Sequence, residues 1–263
     1  MIEVKGVTKS FSYPNGEEKV VLNNLNFTIN DNEFMCLLGP SGCGKSTLLR
    51  LVSGLDNVTD GKIIIDNKEV KGPPNESAFV FQNYALFPWM KVHENVEFGM
   101  KINNMFSKEE RKERVKKYLK YVHLEEYENR YVHQLSGGMR QRVAIARSLV
   151  MDPKILFMDE PFGALDTFTR IDLQNLLLDI KASRDISVVF VTHDIDEAIY
   201  LGDSIAIMNS NTGLINSVIK IDKEQTRNRT GKVFNDYRDL IYKKFNLSSK
   251  ITDSIGNIKK AVS

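Results

Sequence analysis

The stretch EFMCLLGPSGCGKSTLLRLVSGL, residues 33–55, joins a short apolar run to a glycine-rich turn and then to an amphipathic run. It matches the pattern G-x-x-x-x-G-K-[ST] from Gly39 to Ser46, in the strand–loop–helix context that this pattern requires. Glycines let the backbone curl so that successive N–H groups point into one hollow. The stretch predicts a nucleoside triphosphate site and leaves ATPases, GTPases and kinases open.

The residue types of the loop suit phosphate and Mg²⁺. Lys45 supplies a cation for the β and γ phosphates, Ser46 a hydroxyl for Mg²⁺, and Thr47 a further contact to the α phosphate. The expected nucleotide-binding residues of the loop are Gly39, Pro40, Ser41, Gly42, Cys43, Gly44, Lys45, Ser46 and Thr47.

Short apolar runs recur before turn signals, as in SAFVFQN, KILFMDE and SVVFVTH. Strands that are apolar on both faces are typical of a buried parallel sheet, and the helical patterns that follow several of them predict βαβ units. The first 30 residues and GKIIIDNKEVKG indicate a small antiparallel layer, and residues 107–134 a helical region that begins with a capping box of Ser107 and Glu110. The predicted fold is α/β: a P-loop NTPase core with a parallel-rich sheet, a small antiparallel β layer and an inserted α-helical subdomain.

Composition excludes several classes of protein. The 263 residues are 42% hydrophobic with a formal net charge of +2, too balanced for the strongly basic face of a general nucleic-acid binder. No run of about 18 apolar residues is present, and the start MIEVKGVTKS lacks the apolar core of a signal peptide. Cys36 and Cys43 lack metal-ligand spacing. We expect a soluble, intracellular chain that does not bind nucleic acid.

Carboxylates follow the apolar run ILFM. Asp159 and Glu160 would lie at the carboxyl end of a buried strand, where α/β sheets hold their ligands. Adjacent strand residues point to opposite faces, so we expect Asp159 to meet Mg²⁺ and Glu160 to polarise an attacking water, unless Glu160 only caps the next turn. Gln82 ends AFVFQ and would bring a neutral oxygen to a metal, and His193 lies in VTHD, at the end of a later strand, where it could reach a γ phosphate. Taken alone, His193 is better explained by a structural role, and Gln82 is equally unremarkable.

The stretch LSGGMRQR, from Leu135 to Arg142, predicts a second helix start suited to an anion. Ser136 and the two glycines precede an apolar helix pattern. One phosphate loop does not explain this second feature.

The order of these motifs resembles the ATP-binding-cassette (ABC) family, with LSGGMRQR similar to its signature motif. The resemblance covers residues 1 to about 220. It implies that Gly39–Thr47 form the Walker A loop, and that Phe11, rather than Tyr13, stacks on adenine. By the same resemblance, the further functional positions are the Q-loop glutamine Gln82, the Walker B aspartate Asp159, the catalytic glutamate Glu160, the D-loop aspartate Asp166 and the switch histidine His193.

The resemblance also implies cofactors and a partner. ATP and Mg²⁺ would be bound, with Ser46, Gln82 and Asp159 as the metal ligands, and Lys45, Glu160 and His193 as the catalytic residues. In this family two cassettes pack head to tail, so Ser136, Gly137 and Gly138 would contact the γ phosphate held by a second copy of the chain.

The segment NYALFPWMKVHENVEFGM resembles the part of an importer ATPase that receives a coupling helix of a membrane permease. The groove near Gln82–Trp89 would be the permease site, with Leu86, Phe87 and Trp89 lining it or packing internally. The short basic tail is similar to the nitrate, sulfonate and taurine branch. The chain would then lie at the cytoplasmic face of the cell membrane, peripheral through the permease and linked indirectly to an extracytoplasmic solute-binding protein.

We expect an ABC ATPase domain at 1–221, with its helical subdomain at about 95–145, and a short basic C-terminal tail at 222–263. The tail carries an apolar helical stripe of Phe234, Tyr237, Leu240, Ile241 and Phe245; packing on its own domain is favoured over membrane binding. A non-transport ABC ATPase of DNA repair or the ribosome is the alternative function. It is disfavoured because the chain lacks a long coiled-coil insertion and a second cassette.

Overall fold

The computed structural model describes residues 1–14, 16–209 and 213–245. The chain divides into two compact units: the first unit is Met1–Pro73 with Val189–Ser263, and the second unit is Pro74–Val188. No helix in the described ranges is long and apolar enough to cross a membrane.

An antiparallel sheet forms part of the first unit, as the sequence predicts. Its order is β2-β1-β4-β5, and Ile2 pairs with Ile29 at one end while Ser12 pairs with Glu18 at the other. Alternate residues of the first strand are buried, so one face of this sheet packs on the core. The strands are β1 (Ile2–Ser12), β2 (Glu18–Ile29), β4 (Asp60–Ile65) and β5 (Lys68–Glu69).

A second, parallel-rich sheet in the first unit has the order β10-β9-β3-β8. Two of its strands, β3 and β9, pair in parallel and every one of their residues is buried, which accounts for sequences that are apolar throughout, apart from Ser204. The strands are β3 (Phe34–Leu38), β8 (Ser187–Thr192), which enters this unit at Val189, β9 (Ser204–Met208) and β10 (Ile215–Lys220); the helices of the unit are α1 (Lys45–Val52), α6 (Ile195–Leu201), α7 (Lys223–Thr226) and α8 (residues 232–245).

The tail helix α8 packs on the first unit. Phe234 and Ile241 are buried, and the guanidinium of Arg238 donates to both carboxylate oxygens of Asp196 at 2.7 Å. Phe234 and Ile241 of the predicted apolar stripe therefore pack on the chain's own domain, although Leu240 stays partly exposed. Residues 246–263 of the predicted tail lie outside the described residues.

The second unit contains two parallel strands and four helices. The predicted capping box is present: Ser107 Oγ accepts from the Glu110 N–H at 3.2 Å, and Glu110 Oε2 accepts from the Ser107 N–H at 2.7 Å. The elements are β6 (Ser77–Val80), β7 (Ile155–Asp159), α2 (Val92–Ile102), α3 (Lys108–Tyr121), α4 (Gly137–Leu149) and α5 (Thr167–Ala182), with short 3₁₀ turns at Glu125–Tyr127 and Val132–Gln134. The limits of the helical subdomain and of the ATPase domain stay predictions.

A cluster around Asp152 connects α3 with the turn after α4. The carboxylate accepts hydrogen bonds from Tyr118, Arg114 and Arg184, and Arg114 also donates to the Val150 carbonyl at 3.0 Å. Partial burial alone would raise the pKa of Asp152, but the hydrogen bonds from Tyr118 and Arg114 outweigh it and hold the pKa below its ordinary value. The cluster therefore stabilises the fold most when Asp152 is ionised.

Asp152→Asn should lower the free energy of unfolding by about 1 kcal/mol at neutral pH, a modest figure because the Asp152 side chain is half exposed. The pKa of Asp152 is lower in the folded chain than in the unfolded chain. Its contribution is therefore complete above about pH 3.9, the unfolded value, and is lost as the pH falls through the folded value. Urea unfolding of both proteins between pH 7 and pH 3 measures this change.

Glu76→Gln is the matched control, because Glu76 and Lys154 form an ion pair with both side chains largely exposed. It should shift the urea midpoint much less than Asp152→Asn. Equal effects of the two substitutions at pH 7 would contradict the structural role of the Asp152 cluster.

Candidate nucleotide site

The glycine-rich loop lies between β3 and α1 in the first unit. Gly42 and Gly44 have φ values of 80° and 101°, which favour glycine. A Cβ on residue 44 would lie 2.7 Å from Leu22 Cδ2 of β2, so packing as well as conformation requires a glycine there. The loop thus has the curled backbone that its sequence predicts.

The side chain of Lys45 is folded into this loop. Its Nζ donates to the carbonyl oxygens of Gly39 and Pro40 at 2.8 and 2.9 Å, and the residue is only 4% exposed. Helix α1 has Gly44 as its N-cap and no acidic residue in its first turn. Its first N–H groups have no intrahelical acceptor, so a buried cation and a helix N-terminus meet in one loop, as phosphate requires.

Phe11 lies in β1, opposite Lys19 of β2. Two residues earlier on the same strand, Lys9 pairs with Leu22, the residue that packs on Gly44. The Phe11 ring is 40% exposed, with the Lys9 ammonium 4.9 Å from its centroid. An accessible aromatic ring therefore lies on the strand region beside the loop, and Tyr13 is exposed as well. Adenine stacking by Phe11 stays a prediction.

His193 follows β8 in the first unit and is exposed. The turn around it is fixed by neighbouring side chains: Asp194 Oδ1 accepts from the N–H groups of Asp196 and Glu197 at 2.8 and 3.1 Å, and Thr192 Oγ1 donates to Glu197 at 2.7 Å. The imidazole is therefore presented at the surface by a rigid turn.

The carboxyl ends of β6 and β7 meet at one edge of the second unit. The strands are parallel with Val80 opposite Met158, so Gln82 and Glu160 each lie two residues beyond this pair, at the same edge. Asp159 is the last residue of β7, whereas Glu160 lies beyond the strand with a φ of 41°. Strand alternation therefore does not orient Glu160, contrary to the sequence-based expectation. A non-glycine residue in this conformation is a strained position of the kind found at functional sites.

The LSGGMRQR stretch opens α4 in the second unit. Ser136 is the N-cap, and its Oγ accepts from the Met139 N–H at 3.3 Å. The N–H groups of Gly137 and Gly138 have no acceptor within the helix, and the first turn contains no acidic residue. This helix start is suited to an anion.

The start of α4 packs closely on the start of α5. A Cβ on Gly138 would lie well inside van der Waals contact with Thr169 Cγ2. Thr169 is itself held by Asp166, the N-cap of α5, which accepts from its N–H at 3.1 Å. Hydrogen bonds from the Thr169 side chain and backbone keep the pKa of Asp166 below its ordinary value. Sequence reasoning identified Gly138 and Asp166 but not Thr169, which joins them.

Three aromatic residues of the second unit, Phe87, Trp89 and Phe98, form an aromatic patch. The ring centroid of Phe87 is 5.6 Å from that of Trp89 and 4.4 Å from that of Phe98. Trp89 is 69% exposed, so it does not pack internally, while Phe87 is half-buried. The fully buried Asn95 accepts from the Phe87 N–H at 2.8 Å and donates to the Phe87 and Lys91 carbonyls, which fixes the backbone beneath the patch.

The predicted site residues divide between the two units. The first unit contains Phe11, the loop of Gly39–Thr47 and His193, with Phe11 on the strand region beside the loop. The second unit brings Gln82 to the edge where Glu160 lies, and Ser136–Gly138 close to Thr169, which Asp166 caps. The roles of these residues in binding and catalysis stay predictions.

A phosphate loop between a buried parallel strand and a helix is typical of a P-loop NTPase. A sequence profile described as ABC transporter matches residues 22–163, more than half of the chain. The chain belongs to the ABC transporter family, and it is an ATP-binding, ATP-hydrolysing cassette of that family.

Several proteins are similar to the chain over most of its length. An uncharacterised ABC transporter ATP-binding protein of Methanocaldococcus jannaschii is 49% identical over 91% of this chain and 89% of its own. The aliphatic sulfonates import ATP-binding protein SsuB of Bacillus thuringiensis is 43% identical over 97% and 99%. The nitrate import ATP-binding protein NrtD of Synechocystis is 46% identical over 81% and 82%.

Solved structures confirm the predicted fold class. A dimeric post-hydrolysis state of an ATP-binding cassette bound to ADP and Pi matches with a TM-score of 0.76 and 35% identity, covering 84% of this chain and 99% of that one. The dimeric structure of a bacterial ABC transporter cassette matches with the same TM-score and 36% identity.

Gly138→Ala should lower the free energy of unfolding by about 1–3 kcal/mol, because the new methyl group overlaps Thr169 Cγ2. Rotating this side chain away would break its bond to Asp166, and a β-branched side chain has few rotamers. Thr169→Ala removes the obstructing methyl group. In that background Gly138→Ala should destabilise the protein distinctly less, as measured by a double-mutant cycle on urea midpoints. Additive effects would contradict the close contact.

Proposed function

We propose that this chain is the ATP-hydrolysing subunit of an ABC import system and works as an ATP-driven head-to-tail dimer. The observation that carries the proposal is the helix start at Ser136–Gly138. It offers N–H groups that have no acceptor within the helix, a hydroxyl and no acidic residue in its first turn, although the chain already has a phosphate loop in its first unit. A second anion-binding site has a clear use if it binds the γ phosphate held by a second copy of the chain.

In this proposal each chain binds ATP with its own loop. Lys45 and the N–H groups of the loop contact the phosphates, and Phe11 stacks on adenine. The hydroxyl of Ser46, the amide oxygen of Gln82 and the carboxylate of Asp159 suit Mg²⁺, which prefers hard oxygen ligands and keeps phosphate oxygens among them. When bound, Mg²⁺ neutralises charge on the phosphates.

The hydrolytic step is assigned to Glu160 and His193. The carboxylate of Glu160 polarises the attacking water, and its strained backbone holds it beyond the end of β7. His193, on its rigid turn, contacts the γ phosphate, and Asp166 lies beside the partner-facing helix start. Two dimeric structures of one similar cassette, one of them with ADP and Pi, support an assembly of this kind.

The transport role rests on the aromatic patch and on the relatives. Trp89 is a large exposed side chain on a rigid backbone, and exposed aromatic residues dominate many interfaces. Relatives named for the import of aliphatic sulfonates and nitrate support an import system for small anions. We propose that a permease binds the patch near Gln82–Trp89 and holds the chain at the cytoplasmic face of the membrane. An extracytoplasmic solute-binding protein would supply the solute, so the cargo is selected outside this chain.

Glu160→Gln should give a chain that binds ATP, dimerises and does not hydrolyse it. The amide keeps the shape of the side chain but removes the charge that polarises water and repels the γ phosphate. Gel filtration should show a shift from monomer to dimer with ATP and none with ADP.

Two further substitutions in the Glu160→Gln background separate the two phosphate sites. Lys45→Ala removes the cation of the loop and should abolish both ATP binding and the dimer. Ser136→Arg fills the anion-binding site at the start of α4 and should abolish the dimer, while each chain still binds ATP with its own loop. A dimer that persists unchanged in Ser136→Arg would contradict the proposal that this helix start binds the phosphate of the second copy.

Trp89→Ala should leave the ATPase activity of the isolated chain near normal and weaken its retention by membranes. Interface aromatics contribute about 2 kcal/mol, which corresponds to about 30-fold in affinity. The measurement is the fraction of tagged chain that sediments with washed native membranes as its concentration is varied. Ile102→Ala is the control, because Ile102 is 61% exposed in the same unit but lies outside the patch. Equal retention of the Trp89→Ala and wild-type chains would refute the permease assignment.

A further inference from the structure

Two consecutive non-glycine residues after Gln82 have left-handed backbone conformations. The φ values are 63° for Tyr84 and 47° for Ala85. Each such residue costs about 1–2 kcal/mol, so this conformation persists only where surrounding contacts impose it. We call these two residues the bend. The bend lies in the second unit, between Gln82 and the aromatic patch.

Arg147 of α4 binds both residues of this bend. Its Nη1 donates to the Ala85 carbonyl at 2.6 Å and its Nη2 to the Tyr84 carbonyl at 3.0 Å. Burial lowers the pKa of the Arg147 guanidinium, but arginine keeps its charge at neutral pH. Two charge-assisted hydrogen bonds from one planar group therefore fasten two strained peptide units to α4.

The side chain of Tyr84 extends this attachment to the first residue of α4. Its hydroxyl oxygen lies 3.3 Å from the position that a Cβ on Gly137 would occupy. The Arg140 guanidinium carbon lies 5.7 Å from the centroid of the Tyr84 ring. The bend thus touches α4 near its last turn, through Arg147, and at its start, through Tyr84.

The other end of the bend is equally firm. Asn95 is fully buried and binds the backbone of Phe87, Met90 and Lys91 through its side-chain amide. The chain from Tyr84 to Lys91 is therefore held at both ends, by Arg147 and by Asn95, with the exposed Trp89 between them. The same segment therefore carries both Trp89 and Tyr84, whose hydroxyl lies beside Gly137.

We propose that Tyr84 and Arg147 are positioning residues that tie the aromatic patch to the start of α4, so that a permease bound at Trp89 sets the position of Ser136–Gly138. This inference rests on the proposed function. Neither side chain needs to touch nucleotide: Arg147 fixes the bend, and the Tyr84 ring transmits its position to Gly137.

The test is Arg147→Lys in the Glu160→Gln background. Lysine has a single ammonium and cannot present two donors in a fixed fork to both carbonyls. The dissociation constant of the ATP-bound dimer, measured by analytical ultracentrifugation, should rise about 10-fold, within the usual range of coupling between sites. ATP binding by the monomer should change less than about 2-fold, because neither Arg147 nor Tyr84 is assigned a contact with the nucleotide.

The matched control is Arg114→Lys. Arg114 also donates to a backbone carbonyl near α4, that of Val150, but does not contact the bend. The thermal unfolding midpoint of Arg114→Lys should fall by as much as that of Arg147→Lys, while the dissociation constant of its ATP-bound dimer stays within about 2-fold of that of the parent. An equal rise in both variants would mean that Arg147 acts only through stability, and the inference would be wrong.

Tyr84 provides a second, independent comparison. Tyr84→Phe keeps the ring and should retain most of the dimer affinity, whereas Tyr84→Ala removes the ring and should match Arg147→Lys. In the otherwise wild-type chain, Arg147→Lys should lower kcat while membrane retention, which depends on Trp89, stays unchanged. If retention falls together with kcat, Arg147 supports docking itself and the proposed coupling is refuted.

Failure of the inference is distinguishable from failure of the proposed function. If the Glu160→Gln parent forms no ATP-dependent dimer, the proposed function fails before Arg147 is tested. If the parent dimerises and Arg147→Lys dimerises equally well, the proposed function stands and only the coupling through Tyr84 and Arg147 is overturned.

Discussion

A helix start that is to receive an anion must keep its own carboxylates away from its first turn, and both candidate phosphate sites depend on this constraint. Helix α1 begins after Gly44 and α4 after Ser136, and neither has an acidic residue in its first turn. Helices α3 and α6, by contrast, have two acidic residues each in their first turns. Acidic side chains satisfy a helix dipole locally, so their absence from α1 and α4 leaves that charge for a ligand.

The features that the sequence predicted well are set by local chemistry. The loop of Gly39–Thr47 is specified by glycine conformations, and the buried strands by unbroken apolar runs, because both signals lie within a few residues. The capping box at Ser107 was predicted for the same reason. The sequence identified Glu160 as a candidate site residue but did not predict its positive φ, because a non-glycine residue gives no sequence signal for that conformation.

The features that it missed depend on contacts between residues far apart in the chain. Arg147 looks like an ordinary polar position of an amphipathic helix, yet it holds the carbonyls of Tyr84 and Ala85. Thr169 looks like a first-turn residue of α5, yet its methyl group limits residue 138 to glycine. Asn95 is a polar residue in a helix and is fully buried under the aromatic patch. Periodicity describes one element at a time, whereas each of these side chains serves a second element.

Trp89 is the single tryptophan of the chain and lies in the aromatic patch with most of its surface in water. The intrinsic indole fluorescence of the protein therefore originates at one defined point, and its emission wavelength follows the polarity around that point. A partner that covers the patch excludes water from the indole and so changes its emission. The chain thus contains a built-in optical reporter of occupancy for the surface through which we propose it meets the membrane.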